Sequence, residues 1–175
     1  LIGRDFAMDR DGNWDRTETA WQCLFAGIGN PAADAQTALT GYYGQGITDS
    51  GIPATIITAG ATIGAGDAVI CFNFREDSMR QIAHAIADPD FRSFDRPAMP
   101  NNLLAVSMTA YEAGLPIAVA FPAPVITDCL AEVLAQGGKK QLHIAETDKY
   151  AHVTYFFNGL REDPFPGEER ILIPS

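Results

Sequence analysis

Residues 67–87 read DAVICFNFREDSMRQIAHAIA, a strand, a turn and a helix in succession. Positions 68–74 (AVICFNF) form a near-continuous apolar run, the mark of a strand buried on both faces of an α/β sheet. From Ser78 onward the spacing changes, and Met79, Ile82, Ala83 and Ile86 fall at helical intervals. Arg75 therefore stands in a strand-to-helix turn at the carboxyl end of a strand, where ligands of open α/β sheets collect.

The same alternation continues downstream. Strands are predicted at 103–109 and 117–121, a helix at 128–136 closed by Gly137 and Gly138, a strand at 141–145, a helix at 149–157 ended by Gly159, and a strand at 171–173. Such alternation implies a mostly parallel sheet with helices on its faces, so the fold class is α/β. Pro122 and Pro124 interrupt the chain between two such units, which places a domain boundary between 1–121 and 122–175. Upstream, Asp15 with Glu18 three residues later predicts a capping-box helix start, with Trp14, Trp21, Leu24, Phe25 and Ile28 on one face. Gly27, Gly29 and Pro31 stop that helix. A second helix is predicted with Asn30 as N-cap and Pro31 at its first position, carrying Leu39, Tyr42 and Tyr43 inward and ending at Gly44. Residues 44–66 read as loops around a short strand at 55–58, and 88–102, with its three prolines, reads as a surface loop.

Composition narrows the function classes. The 175 residues are 47% hydrophobic and 19% charged, enough for a proper core. No apolar run nears the roughly 20 residues of a membrane helix, and no signal-type segment opens the chain. A formal net charge of −10 argues against nucleic-acid and anionic-membrane partners, which demand excess Lys and Arg. Cys23, Cys71 and Cys129 are widely spaced without a CxxC pair, as suits reduced thiols, and a cytoplasmic protein is expected. The opening on Leu1 and the strand-like run at 171–175 read as the ends of a piece of a longer protein.

The densest chemical signal is GRDFAMDRD at 3–11, two arginines six apart interleaved with carboxylates. Arginine offers a rigid fork of donors that binds phosphate or carboxylate oxygens in pairs. The residues alone fit either an anion clamp or a loop of surface ion pairs. Arg75 fits either a ligand contact or a helix-capping surface residue. Lys149, at a helix start where a cation is disfavoured by the macrodipole, points to a nearby anion or is simply solvated. Asp9, Asp11 and Asn13 match the first ligand positions of an EF-hand, but Trp14 and Ala20 stand where Gly and Glu are required, which excludes calcium there. Gly64 and Gly66 precede a strand rather than follow one, against a dinucleotide fingerprint. His84, His143 and His152 form no ligand spacing and read as surface or core histidines.

Four blocks, GRDFAMDRDGNWDR (3–16), AGDAVICFNFRED (65–77), IAETDKYAHVTYFFNG (144–159) and PFPGEERILIPS (164–175), resemble in order and separation the hallmarks of cofactor-independent phosphoglycerate mutase. The resemblance covers nearly the whole chain. It implies that 1–121 is the later part of an inserted substrate-binding transferase domain, and that 122–175 begins the return into an alkaline-phosphatase-like domain. It further implies a glycolytic isomerase interconverting 3- and 2-phosphoglycerate through a phosphoserine, with two manganese or similar ions, no bisphosphoglycerate, and a monomeric state. Arg4 and Arg10 match the arginines of the family's GR-x4-DR segment, Arg75 the first arginine of NFR-x2-R, and Lys149 the lysine of AETEKY, all substrate-binding. The second arginine of NFR-x2-R is replaced by Ser78, leaving Arg80 or Arg92 as candidates to compensate. The metal ligands and the nucleophilic serine, the latter expected upstream, have no counterpart in these residues, so the chain alone is expected to be inactive. A phosphopentomutase-like enzyme of the alkaline phosphatase superfamily and a non-catalytic phosphometabolite-binding fragment are the competing readings.

Overall fold

A computed structural model describes residues 1–122 and 124–174. The chain divides into two compact units, Leu1–Ala123 and Pro124–Ser175. In the first, a short helix α1 (Arg4–Ala7) leads through a loop to α2 (Trp14–Trp21), which continues as a π-helical turn over Gln22–Ala26. Gly27, in the left-handed region at φ 65°, ends it. Two residues of strand β1 (Asn30–Pro31) precede α3 (Ala35–Gly44), and β1 pairs in parallel with β2 (Thr55–Ile56). Strand β3 (Ala68–Cys71), helix α4 (Glu76–Ala87), β4 (Leu104–Ser107) and β5 (Ala118–Val119) complete the unit, with the three strands forming a parallel sheet in the order β3-β4-β5.

The core lies between this sheet and α2 and α4. Ala20, Trp21, Cys71, Met79, Ile82, Ala83, Ile86, Phe91 and Tyr111 are buried in one cluster. The Trp21 and Phe25 rings stack at 5.0 Å. The α4 residues predicted from helical spacing, Met79, Ile82, Ala83 and Ile86, are all buried, together with Ser78, Gln81 and Ala85.

Three local expectations are corrected. The apolar run at 68–74 is not buried on both faces: Cys71 is buried, but Ile70, Phe72 and Phe74 are 61%, 77% and 62% exposed. The physical reason is that, within the first unit, α2 and α4 pack on one side of the sheet only. Asn30 and Pro31 do not start α3. Asn30 N–H donates to Ala54 O and Ala32 N–H to Ile56 O, so the pair is drawn into β1, where Pro31 needs no ladder donor. The cap of α3 is Asp34, whose carboxylate accepts from Thr37 N–H at 2.7 Å. Helix α2 starts at Trp14 after Asn13 rather than at Asp15, and Glu18 accepts from Gln22 Nε2 instead of reaching back to a cap.

The second unit holds α5 (Leu130–Gln136), β6 (Gln141–Glu146), α6 (Thr147–Ala151), a π-helical turn over His152–Phe156, and β7 (Glu168–Ile173). Strands β6 and β7 pair in parallel over six residues. Beneath them the Glu168 carboxylate, fully buried, accepts from Arg170 Nε at 2.6 Å, Asn158 Nδ2 at 2.7 Å and Phe165 N–H at 2.8 Å. His143 Nδ1 lies 3.4 Å from the same carboxylate without a hydrogen bond to it.

Candidate functional site

Gly3 holds α1 against the 50–52 segment: its N–H donates to Ile52 O at 2.7 Å, and a Cβ there would meet Ser50 O at 2.2 Å. This contact fixes Arg4, the first residue of α1. Beyond α1, the Asp9 carboxylate folds the loop around itself by accepting from Asp11 N–H, Asn13 N–H and Asn13 Nδ2. Burial alone raises the Asp9 pKa, and these hydrogen bonds more than offset it, leaving the carboxyl below its ordinary range. Gly12 N–H donates to Gln81 Oε1 and Gln81 Nε2 donates to Thr17 Oγ1, which ties the loop to α4. Arg10 is thereby carried on a braced loop.

Arg75 comes from the other direction, as the N-cap of α4. The segment delivering it is pinned by the buried Tyr111 hydroxyl, which lies 2.8 Å from Cys71 O and 2.6 Å from Asn73 O. Arg4, Arg10 and Arg75 then line one cavity of about 360 Å³, together with Arg16, Ser78 and the carboxylates of Asp5, Asp9 and Asp11. Four arginines meet here in a chain whose net charge is −10.

The cations are not equally committed. Arg4 makes no ion pair or side-chain hydrogen bond among the described residues. Arg16 Nη1 stands 3.8 Å from Asp9 Oδ2, a loose pair. Arg10 Nη1 and Arg75 Nε each lie 2.7 Å from a different oxygen of Asp77, and Arg75 Nη2 adds a contact at 3.1 Å. The hydrogen bond from Arg75 is the largest influence drawing the Asp77 carboxyl down to about 2.

Of the predicted residues, Arg4, Arg10 and Arg75 are brought together in the first unit, while Lys149 sits exposed in the second, on α6, in no ion pair among the described residues. Neither candidate substitute for the arginine missing at Ser78 lines the cavity. Arg80 Nε donates to Tyr111 O and faces Glu112 at 3.2 Å, and Arg92 Nη1 donates to Phe91 O. Arg16 stands there instead. Sequence reading missed Arg16 and Asp77, although Arg4, Arg10 and Arg16 repeat at a regular interval of six. Among the described residues no group of three or more His, Cys, Asp and Glu could hold a metal ion. No helix among them is long and apolar enough to cross a membrane.

Comparison with known proteins gives a consistent set of relatives. The family model described as BPG-independent PGAM N-terminus matches residues 1–113. The 2,3-bisphosphoglycerate-independent phosphoglycerate mutase of Moorella thermoacetica is 47% identical over the whole chain, which covers 35% of that relative. Its counterpart in Thermomicrobium roseum is 49% identical, again over the whole chain and 34% of the relative. The chain thus spans about a third of the length of the curated relatives it matches. Among solved structures, Leishmania mexicana phosphoglycerate mutase at low cobalt concentration matches with a TM-score of 0.75 and 33% identity, over 99% of this chain and 34% of that one.

Proposed function

Because this chain belongs to the BPG-independent phosphoglycerate mutase family, we propose that it carries the substrate-holding arginines of an enzyme that interconverts 3-phosphoglycerate and 2-phosphoglycerate without bisphosphoglycerate. The observation that carries this reading is the convergence of Arg4, Arg10 and Arg75, from three separate points of the chain, on one cavity.

Phosphoryl transfer is largely a matter of positioning and charge neutralisation, and a phosphoglycerate is small and multiply charged. Arg4 has its whole fork of donors open to an oxyanion. Arg10 and Arg75 retain donors beyond those given to Asp77, and Arg16 adds a fourth positive group in place of the arginine that Ser78 lacks. Together they hold the glycerate against escape while it reorients between the two halves of a phosphoserine relay. Lys149, a compact and mobile point charge, is assigned to the moving phosphoryl group. The resemblance implies two divalent ions; among the described residues no group of three or more His, Cys, Asp and Glu could hold one. The setting proposed for the enzyme is the cytoplasm.

The test is isomerisation of 3-phosphoglycerate by the full-length enzyme that includes this chain, with bisphosphoglycerate absent, followed through a coupled assay. Activity that a chelator abolishes, and that Arg10→Lys lowers at least tenfold in kcat/KM, is expected, since lysine keeps the charge but not the paired geometry. Turnover of pentose phosphates in place of phosphoglycerate would move the reading to the phosphopentomutase-like alternative.

A further inference from the structure

Among the described residues, Asp77 is the one side chain that binds both Arg10 and Arg75. Arg10 belongs to the loop between α1 and α2, and Arg75 to the turn between β3 and α4, 65 positions apart, yet both bind one carboxylate. We propose that Asp77 is a positioning residue, a carboxylate clamp that sets the spacing and orientation of the Arg10 and Arg75 guanidinium groups on the cavity wall. This inference takes its ligand from the reading of the cavity as a phosphoglycerate site, but the clamp itself rests on the contacts alone.

The geometry favours a clamp over a mere counter-anion to the two arginines. Asp77 is the second residue of α4, a helix of 12 residues whose inner face is locked into the core by Met79, Ile82, Ala83 and Ile86. The carboxylate is therefore held on a rigid element, and negative charge in the first helical turn is favoured by the macrodipole. Arg75 binds both oxygens, Nε to Oδ1 and Nη2 to Oδ2, Arg10 Nη1 shares Oδ2, and the Ser78 hydroxyl donates to Oδ1 at 3.2 Å, steadying the group further. The contacts consume one edge of the Arg75 fork, Nε and Nη2, and only Nη1 of Arg10. Arg75 Nη1 and Arg10 Nη2 remain without protein partners among the described residues. A planar fork held by one edge is oriented as well as neutralised, and its remaining donors are presented to an oxyanion already aligned. The outer face of Asp77 is open, its side chain 42% exposed, so water moderates the strength of each contact.

The test uses the full chain and two independent readouts. Titration with 3-phosphoglycerate measures affinity, and nuclear magnetic resonance of the Arg10 and Arg75 Nε–H groups measures their order. Asp77→Asn is expected to weaken binding roughly tenfold, the scale of one charge-assisted contact, and to mobilise the Arg75 Nε–H, with tryptophan fluorescence unchanged. Asp77→Glu, which keeps the charge on a longer stem, is expected to fall between the two. Affinity that is equal or tighter in Asp77→Asn would overturn the clamp, since a mere counter-anion competes with the ligand. A wild-type chain that takes no 3-phosphoglycerate sinks the phosphoglycerate reading instead. In that event the arginine order decides alone: order lost in Asp77→Asn upholds the clamp, and order retained overturns it.

Discussion

Replacing Gly3 by alanine tests whether the contact that fixes Arg4 is as tight as the structure has it. The φ of Gly3 is −73°, a value alanine adopts freely, so backbone strain plays no part. The added Cβ would lie 2.2 Å from Ser50 O, where ordinary contact begins near 3.4 Å, so the two segments must part by about 1.2 Å. That movement stretches the Gly3 N–H to Ile52 O bond, now 2.7 Å, beyond hydrogen-bonding range. Overpacking costs about 1–3 kcal/mol and the lost bond about 1 kcal/mol, while the stiffer unfolded chain returns roughly 0.4–1 kcal/mol. The net expectation is a loss of about 2–3 kcal/mol. Both tryptophans, Trp14 and Trp21, lie in the first unit, so their fluorescence during urea unfolding reports on that unit alone. The midpoint is expected to fall by roughly 1–2 M with the slope unchanged. Gly41→Ala is the control: it sits within α3 with nothing within 4 Å of the added Cβ, and should raise the midpoint slightly. A Gly3→Ala midpoint indistinguishable from wild type would refute the close approach and, with it, the account of how Arg4 is placed.

Other perturbations follow from individual contacts. Tyr111→Phe strips the shared hydroxyl from two carbonyls and is expected to cost about 1–2 kcal/mol by the same fluorescence assay, with weaker anion binding because the segment that delivers Arg75 is freed. Ser78→Arg should tighten 3-phosphoglycerate binding several-fold by adding a cation to the cavity wall; a tenfold loss in calorimetry would show instead that the Ser78 hydroxyl bond to Asp77 matters more. Glu168→Gln is expected to destabilise the second unit by about 2–4 kcal/mol, read as faster amide exchange in β6 and β7. Burial raises the Glu168 pKa, but the donors from Phe165, Arg170 and Asn158 outweigh it, so the folded value lies below the ordinary 4.5. The stability it supplies is therefore full above that pH and lost as pH falls below it, and the glutamine variant should lack that acid-side loss.

The strand-turn-helix at 67–87 was legible because local patterns decide it: an apolar run, then Met79, Ile82, Ala83 and Ile86 at helical spacing. Its one-sided burial was not legible, since an apolar run carries no information about how many of its faces this chain covers. Asn30 and Pro31 suit a helix start and an edge strand equally well, and the choice is made by pairing with Thr55 and Ile56, 25 positions away. Arg4, Arg10 and Arg75 stood out as cations in segments without periodicity or in a turn. Arg16 was absorbed into a helical pattern, and Asp77 passed as a first-turn carboxylate, because its second role depends on an arginine 67 residues away.

The central claim, that arginines distant in sequence serve one small anion, is tested most directly by calorimetric titration of 3-phosphoglycerate into the full chain and into Arg4→Ala, Arg10→Ala and Arg75→Ala. Each variant is expected to lose on the order of tenfold or more in affinity while keeping the wild-type unfolding free energy within about 0.5 kcal/mol. Three variants that bind as tightly as wild type would contradict it.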